Sequence, residues 1–182
     1  MQHSIEGANK MELVNVGQIQ IRPEDIKIAT PVVLASDNAG YDLKKQVIAY
    51  LEEAGIECID CNPEEGVARH YPEWSHKAAQ KIMDGSAKSC ILICGTGIGI
   101  GMAAMKCPGV YGVRADDAVQ VKIAREKLDV NMLSFGQRVS GLGLALELVY
   151  AFVCTAYDPK NEEARQIREA EAKYLKTQEA EK

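Results

Sequence analysis

The sequence predicts an α/β fold, a doubly wound sheet of parallel strands with helices on its faces. Three observations predict it. Short apolar runs alternate with helical stretches of about 10–15 residues. The most apolar run, Cys90-Ile91-Leu92-Ile93-Cys94, has no polar face, as a strand buried on both sides requires. Successive strand–helix–strand units need right-handed crossovers, and these lay helices over the sheet. At 182 residues, one domain can bury a full core.

The elements follow in order. Residues 1–30 form an N-terminal extension of mixed character, in which Pro23-Glu24-Asp25 opens a helical turn. Val32-Val33-Leu34-Ala35 is the first strand. A helix runs from Tyr41 to Ala54, its face marked by Leu43, Val47, Ile48 and Leu51, and Gly55 stops it. Ile56–Cys61 is the second strand and Pro63–His70 a loop. A second helix runs from Pro72 to about Met83. Cys90–Cys94 is the third strand. A glycine-rich turn follows it, and then a small-residue helix from Met102. Val110–Val113 and Asn131–Phe135 are strands four and five, with a helix between them over Ala118–Leu128. Leu142–Tyr157 is a long helix. Asn161 to about Gln178 is a charged helix, too polar to stand alone and expected to pack on a partner subunit.

Composition narrows the class. Hydrophobic residues are 47% and charged residues 26%, which is globular rather than disordered. The formal charge of -5 carries no basic excess of the kind nucleic acid demands. No apolar run nears the roughly 18 residues of a membrane span. MQHSIEGANK has no apolar signal core. Six cysteines, mostly in apolar runs, fit reduced thiols and point to the cytoplasm.

Ligands of open parallel sheets bind beyond the carboxyl ends of the strands. Three such places carry unusual residues: Asp37-Asn38, Arg69-His70-Tyr71, and Cys94-Gly95-Thr96-Gly97-Ile98-Gly99. Glycines admit close backbone approach and turn amides toward an anion. A thiol at Cys94, facing those amides, has the setting of a base or nucleophile, or else is a small apolar group that finishes a strand. Asp116 and Asp117 suggest a ribose-binding acid, but Ile100 stands where G-x-G-x-x-G needs glycine. Cys58 and Cys61 form C-x-x-C inside a strand, where alternation turns the thiols apart, and no second pair or histidine cluster completes a zinc site. His3 is expected in solvent and His76 on a helix surface. Arg138 follows strand five. Arg165 and Arg168 lie one turn apart, a spacing that suits a shared phosphate or a solvated face.

Together these residues resemble the type B ribose-5-phosphate isomerases and the related galactose-6-phosphate isomerase subunits. The resemblance covers about residues 31–170. It rests on Ala35-Ser36-Asp37-Asn38-Ala39-Gly40, Tyr71-Pro72 and Ile93-Cys94-Gly95-Thr96-Gly97-Ile98-Gly99. Further on it rests on Ala103-Ala104-Met105-Lys106-Cys107-Pro108-Gly109, then Asn131 and Phe135-Gly136-Gln137-Arg138-Val139-Ser140-Gly141. It implies a Rossmann-like three-layer α/β/α sandwich with a five-stranded parallel sheet. The isomerase domain would occupy 31–158, with a partner-binding C-terminal helix over 159–182. The resemblance also implies a dimer or tetramer with sites between subunits, no metal or organic cofactor, no nucleic acid and no membrane.

The implied reaction is aldose–ketose isomerisation of a phosphorylated sugar through a cis-enediol. Cys94 would be the base. Thr96 and the amides of Gly95, Gly97 and Gly99 would hold the enediolate oxygen. Asp37, Asn38, His70, Tyr71 and Asn131 would bind substrate, and Arg138 with the last-helix Arg165 and Arg168 would form the phosphate clamp given by the neighbouring subunit. Two departures matter: Asn38 and Lys127 stand where the family has histidines, so neither can supply ring-opening acid–base chemistry near neutral pH. The expected enzyme therefore acts on an open-chain substrate such as a tetrose phosphate. The alternatives are a subunit of a hetero-oligomer whose partner supplies the histidine, or a non-catalytic sugar-phosphate-binding subunit.

Overall fold

The computed structural model describes residues 19–62, 64 and 70–180. His3, Arg69 and most of the expected loop at 63–70 lie outside the described residues. The elements are β1 (Val32–Ser36), α1 (Tyr41–Glu53), β2 (Cys58–Asp60), α2 (Tyr71–Met83), β3 (Ser89–Cys94), α3 (Ile98–Ala104), β4 (Gly112–Arg114), α4 (Ala118–Leu128), β5 (Met132–Gly136), α5 (Leu142–Cys154) and α6 (Glu163–Ala180). A short 3-10 turn at Pro23–Asp25 precedes them.

The five strands pair in parallel in the order β2-β1-β3-β5-β4. Strand alternation sends two sets of side chains to two cores. Val32, Leu34, Ile91, Ile93, Leu133 and Phe135 meet α1, α4 and α5 on one face. Val33, Ala35, Leu92, Cys94 and Met132 meet α2 and α3 on the other. The result is the expected three-layer sandwich. The strand order reverses between β1 and β3, and the crevice at that switch is where such sheets bind ligands.

One boundary departs from expectation by a whole turn. α3 starts at Ile98 and not at Met102. Gly97, at φ 77°, takes the left-handed turn that swings the chain straight from β3 into the helix. Gly99 and Gly101 therefore lie in the first turn of the helix and not in the loop before it.

The N-terminal extension is not loose from residue 19 onward. Ile21 and Ile28 are buried in the core, and the Lys27 amide donates to the Val153 carbonyl at 2.8 Å. The Tyr50 hydroxyl donates to the Ile19 carbonyl at 2.9 Å. α6 lies on its own chain: Ala164 is buried, and Arg168 pairs with Asp129 beyond the end of α4 at 2.6 Å. Ile167, Tyr174 and Leu175 stay exposed on α6. Among the described residues, no helix is long and apolar enough to cross a membrane.

Candidate active site

The carboxyl edge of the sheet is held by glycines that leave no room for a side chain. A Cβ on Gly40 would sit 2.3 Å from the Ile93 carbonyl oxygen, so the turn after β1 rests on β3. A Cβ on Gly136 would meet the Thr96 backbone at 2.3 Å, so the end of β5 rests on the turn after β3. Backbone hydrogen bonds fix the same contacts. The Asp37 amide donates to the Ile93 carbonyl (3.2 Å), the Gln137 amide to the Cys94 carbonyl (2.9 Å) and the Arg138 amide to the Gly95 carbonyl (3.0 Å). Cys94 is therefore flanked by the Asp37 and Arg138 turns.

The Cys94 side chain is oriented by one more bond: the Gly97 amide donates to Sγ at 3.1 Å. That bond leaves Sγ at the turn and not merely in the core, although the residue is only 5% exposed. Burial pushes Cys58 up to about 12 and raises Cys61, Cys90 and Cys107 above their ordinary range, so they hold their protons. Thr96 is exposed beside Cys94; its Oγ1 accepts from the Ile98 amide at 3.4 Å, and Arg114 Nε donates to its carbonyl at 3.1 Å.

A cavity of about 460 Å³ opens here, lined by Asp37, Asn38, Ala39, His70, Tyr71 and Arg138. Asp37 Oδ1 accepts the Gly40 amide at 3.0 Å, which closes the turn and aims the carboxylate. The Tyr71 ring covers Gly99, whose added Cβ would lie 2.7 Å from the ring. Arg138 lies over Gly95. The structure thus brings together Asp37, Asn38, His70, Tyr71, Cys94, Gly95, Thr96, Gly97, Gly99 and Arg138.

Three expected residues lie elsewhere. Asn131 precedes β5 at the amino edge, where Nδ2 donates to the Gly109 carbonyl at 2.7 Å and Oδ1 accepts the Tyr111 amide at 2.9 Å. Its polar groups are spent on the turn before β4, away from the substrate cavity. Arg165 and Arg168 do not converge. Arg165 is exposed and pairs with Glu162 and Glu169, whereas Arg168 turns inward to Asp129 and lies over the Tyr111 ring. Neither reaches the cavity of its own chain.

The other leads resolve simply. Asp117 caps α4 by accepting the Val119 and Gln120 amides, and Asp116 pairs with Arg114. Cys58 packs in one core and Cys61 in the other. His76 is exposed on α2. No metal-holding cluster of His, Cys, Asp or Glu occurs among the described residues.

Sequence reading missed one supporting network. Lys44 is fully buried, and its Nζ donates to Asp60 Oδ1 (2.5 Å), the Asn62 carbonyl (2.6 Å) and Asn62 Oδ1 (3.0 Å). Asn62 in turn accepts the Ser36 amide and donates to the Ser36 carbonyl, one residue before Asp37. The signal was Asp60 and Asn62 at the end of β2, opposite an inward lysine on α1.

A thiol, a hydroxyl and a glycine turn stand at the switch crevice of this doubly wound sheet, with an arginine across from them. The comparisons give the class. The family model for ribose/galactose isomerase matches residues 32–170. D-erythrulose-4-phosphate isomerase 2 of Mycolicibacterium smegmatis is 30% identical over 151 residues, 78% of this chain and 95% of that protein. The 4-deoxy-4-sulfo-D-erythrose isomerase of a Clostridium species is 36% identical over 138 residues, 74% of this chain and 86% of that one. The solved structure of ribose-5-phosphate isomerase B from Clostridium thermocellum superposes with a TM-score of 0.74 at 33% identity. It covers 79% of this chain and 98% of that one. The chain belongs to the ribose/galactose isomerase family, and it is an isomerase.

Proposed function

We propose that the chain interconverts the aldose and ketose forms of a short phosphorylated sugar, with Cys94 as the base. The observation that carries this reading is the placement of Cys94 Sγ, held by the Gly97 amide between the Asp37 and Arg138 turns. As thiolate, Cys94 takes the proton from the carbon next to the aldehyde. The C–H electron pair forms the carbon–carbon double bond of the enediolate, and the carbonyl electrons move to its oxygen. The thiol returns the proton to the former aldehyde carbon, and the hydroxyl proton passes from one oxygen to the other. Thr96 and the amides of Gly95 and Gly99 stabilise the oxyanion. Asp37, Asn38 and Tyr71 hold the sugar hydroxyls. Arg138 binds the anionic end.

The preferred substrate is a four-carbon phosphate. In a tetrose 4-phosphate the terminal oxygen carries the phosphate and is not free to close a ring, so no ring-opening group is needed. Asn38 lines the cavity in place of a histidine, and Lys127 is exposed at the far edge of the sheet. Two relatives are named for four-carbon substrates, and the name of one replaces the oxygen at carbon 4 altogether. His70 is the histidine at the cavity, and it is the group that would act on any cyclic substrate.

We further propose a homodimer or tetramer. Ile98, Met102 and Met105 are exposed beside Thr96 and lie on successive turns of α3 and its end. A second copy covering them stands beside the cavity, and Arg165, which faces solvent on α6 in its pairs with Glu162 and Glu169, is the arginine such an interface would recruit. All six cysteines are unpaired, in keeping with the reducing cytoplasm.

The test assays the purified chain on phosphorylated tetroses, pentoses and hexoses. Tetrose phosphates should have the highest kcat/KM, and Cys94→Ser should lower kcat by at least about a hundredfold. Near-parental turnover by the variant would remove Cys94 from its role. Strong activity on ribose 5-phosphate, lost in His70→Gln, would replace the open-chain reading. A lone chain that is inert until a related chain is added would make it a hetero-oligomer subunit.

A further inference from the structure

A second cavity, of about 390 Å³, lies at the amino edge of the sheet. Lys27, Lys88, Arg125 and Arg168 line it with a single carboxylate, Asp129, so its wall carries three net positive charges on a chain whose total is -5. Ser89, the first residue of β3, also lines it, whereas Cys94 ends the same strand roughly 16 Å away. The cavity is separate from the site above.

The cations are only partly used inside the fold: Lys27 Nζ donates to the neutral Glu24 carbonyl at 2.8 Å, which leaves its charge unpaired by that bond. Asp129 is shared between Arg168 (2.6 Å) and Arg125 (3.4 Å), so one carboxylate answers two guanidinium groups. Lys88 makes no ion pair among the described residues. Arg125 is the informative one. Its side chain is 8% exposed, its Nη1 donates to the Val130 carbonyl, and its buried Nε has no hydrogen-bond partner. A buried, unsatisfied cationic donor is costly, and burial opposes its charge. Lys27 belongs to the segment before β1, outside the residues 32–170 that the family model matches. The Lys27 amide is tied to α5 by its 2.8 Å bond to Val153, which fixes the backbone of that wall.

We propose that this cavity is a second anion site that binds a small phosphate dianion, as inorganic phosphate or as a phosphate monoester. Two arginine forks and two lysine point charges around a space of this size match the charge and the donor-hungry oxygens of phosphate. A bound dianion ties the segment before β1 to α4 and α6. The proposal does not depend on which sugar is isomerised.

The test uses the full chain carrying Arg138→Ala, which removes the arginine of the catalytic cavity. Inorganic phosphate and glycerol 3-phosphate are titrated separately by calorimetry. Binding should persist in Arg138→Ala and weaken at least about tenfold when Lys27→Ala and Lys88→Ala are added, since both lysines are exposed and their loss leaves the core intact. Tighter binding of glycerol 3-phosphate identifies a monoester ligand, and equal binding identifies phosphate itself. If Arg138→Ala abolishes all phosphate binding, or the lysine pair changes nothing, the second site does not exist. Loss of isomerase activity alone leaves this result untouched and bears only on the first site.

Discussion

Replacing Lys44 with Met removes a fully buried cation from the fold while keeping most of its volume. Its Nζ serves three acceptors, and Lys44 itself has no exposed surface. Met strips the cation from the Asp60 carboxylate and the two Asn62 oxygens, leaving Asp60 Oδ1 only the Asn62 amide and Asn62 Oδ1 only the Ser36 amide. Removing one partner of a buried ion pair costs about 3–5 kcal/mol. The Asp60 side chain is 23% exposed and recovers some solvation, which places the cost near the low end, about 3 kcal/mol. For a chain of this size that is a fall in Tm of roughly 6–12 °C. Because Asn62 grips both backbone groups of Ser36, the Asp37 turn should loosen too, with a raised KM at a temperature where the variant is folded. Differential scanning calorimetry and steady-state kinetics read the two effects. The double variant Lys44→Met/Asp60→Asn, which removes the stranded charge, should regain part of the loss. A single variant that melts within about 2 °C of the parent would refute the reasoning, because the network would then contribute less than the roughly 1 kcal/mol of an ordinary exposed pair.

Gly97→Ala should lower stability by at least about 2 kcal/mol and abolish turnover, since it combines left-handed strain with a Cβ placed 2.5 Å from the Phe135 backbone; urea unfolding and the isomerase assay check it, and a stable, active variant would contradict the turn. Alkaline pH should destabilise the chain. Burial raises Cys58 to about 12 and Cys154 to about 11, from 9.0 when unfolded. The folded state thus holds protons that the unfolded state releases, and the stabilisation present below 9.0 is lost as pH rises through about 11 and about 12. The urea midpoint should fall between pH about 8 and about 10.5, and fall less in Cys58→Ser/Cys154→Ser. Sedimentation at micromolar concentration should show a dimer or larger, and Met102→Glu should shift it toward monomer; a monomeric, active parent would remove the interface.

The sheet was legible because β1, β3 and β5 are short buried runs and a helix such as α1 shows one apolar face, in Leu43, Val47 and Leu51. The crevice was legible because its residues are sequence neighbours of strand ends: Asp37, Cys94 and Arg138. What was not legible depended on contacts between distant segments. Asn131 looked like a site residue until its side chain was seen to close the Gly109–Tyr111 turn. The i,i+3 spacing of Arg165 and Arg168 is real, but Asp129 draws one inward while Glu162 and Glu169 keep the other out. Lys44 carries no sign of its burial in the sequence, because its partners Asp60 and Asn62 arrive from the end of β2. The start of α3 was hidden by composition, since four glycines in seven residues have no helical signature of their own.

The glycine contacts at the carboxyl edge divide this site into parts that can change and parts that cannot. Any side chain at Gly40, Gly97 or Gly136 runs into backbone atoms of a neighbouring segment, and backbone has no rotamer with which to step aside. Asn38, His70 and Arg138, by contrast, are exposed and project from turns already fixed by main-chain bonds. Substitutions there alter what the cavity touches without moving the thiol. A library aimed at new sugars should therefore hold the glycines constant and randomise those three positions, where chemical variety comes with little structural risk.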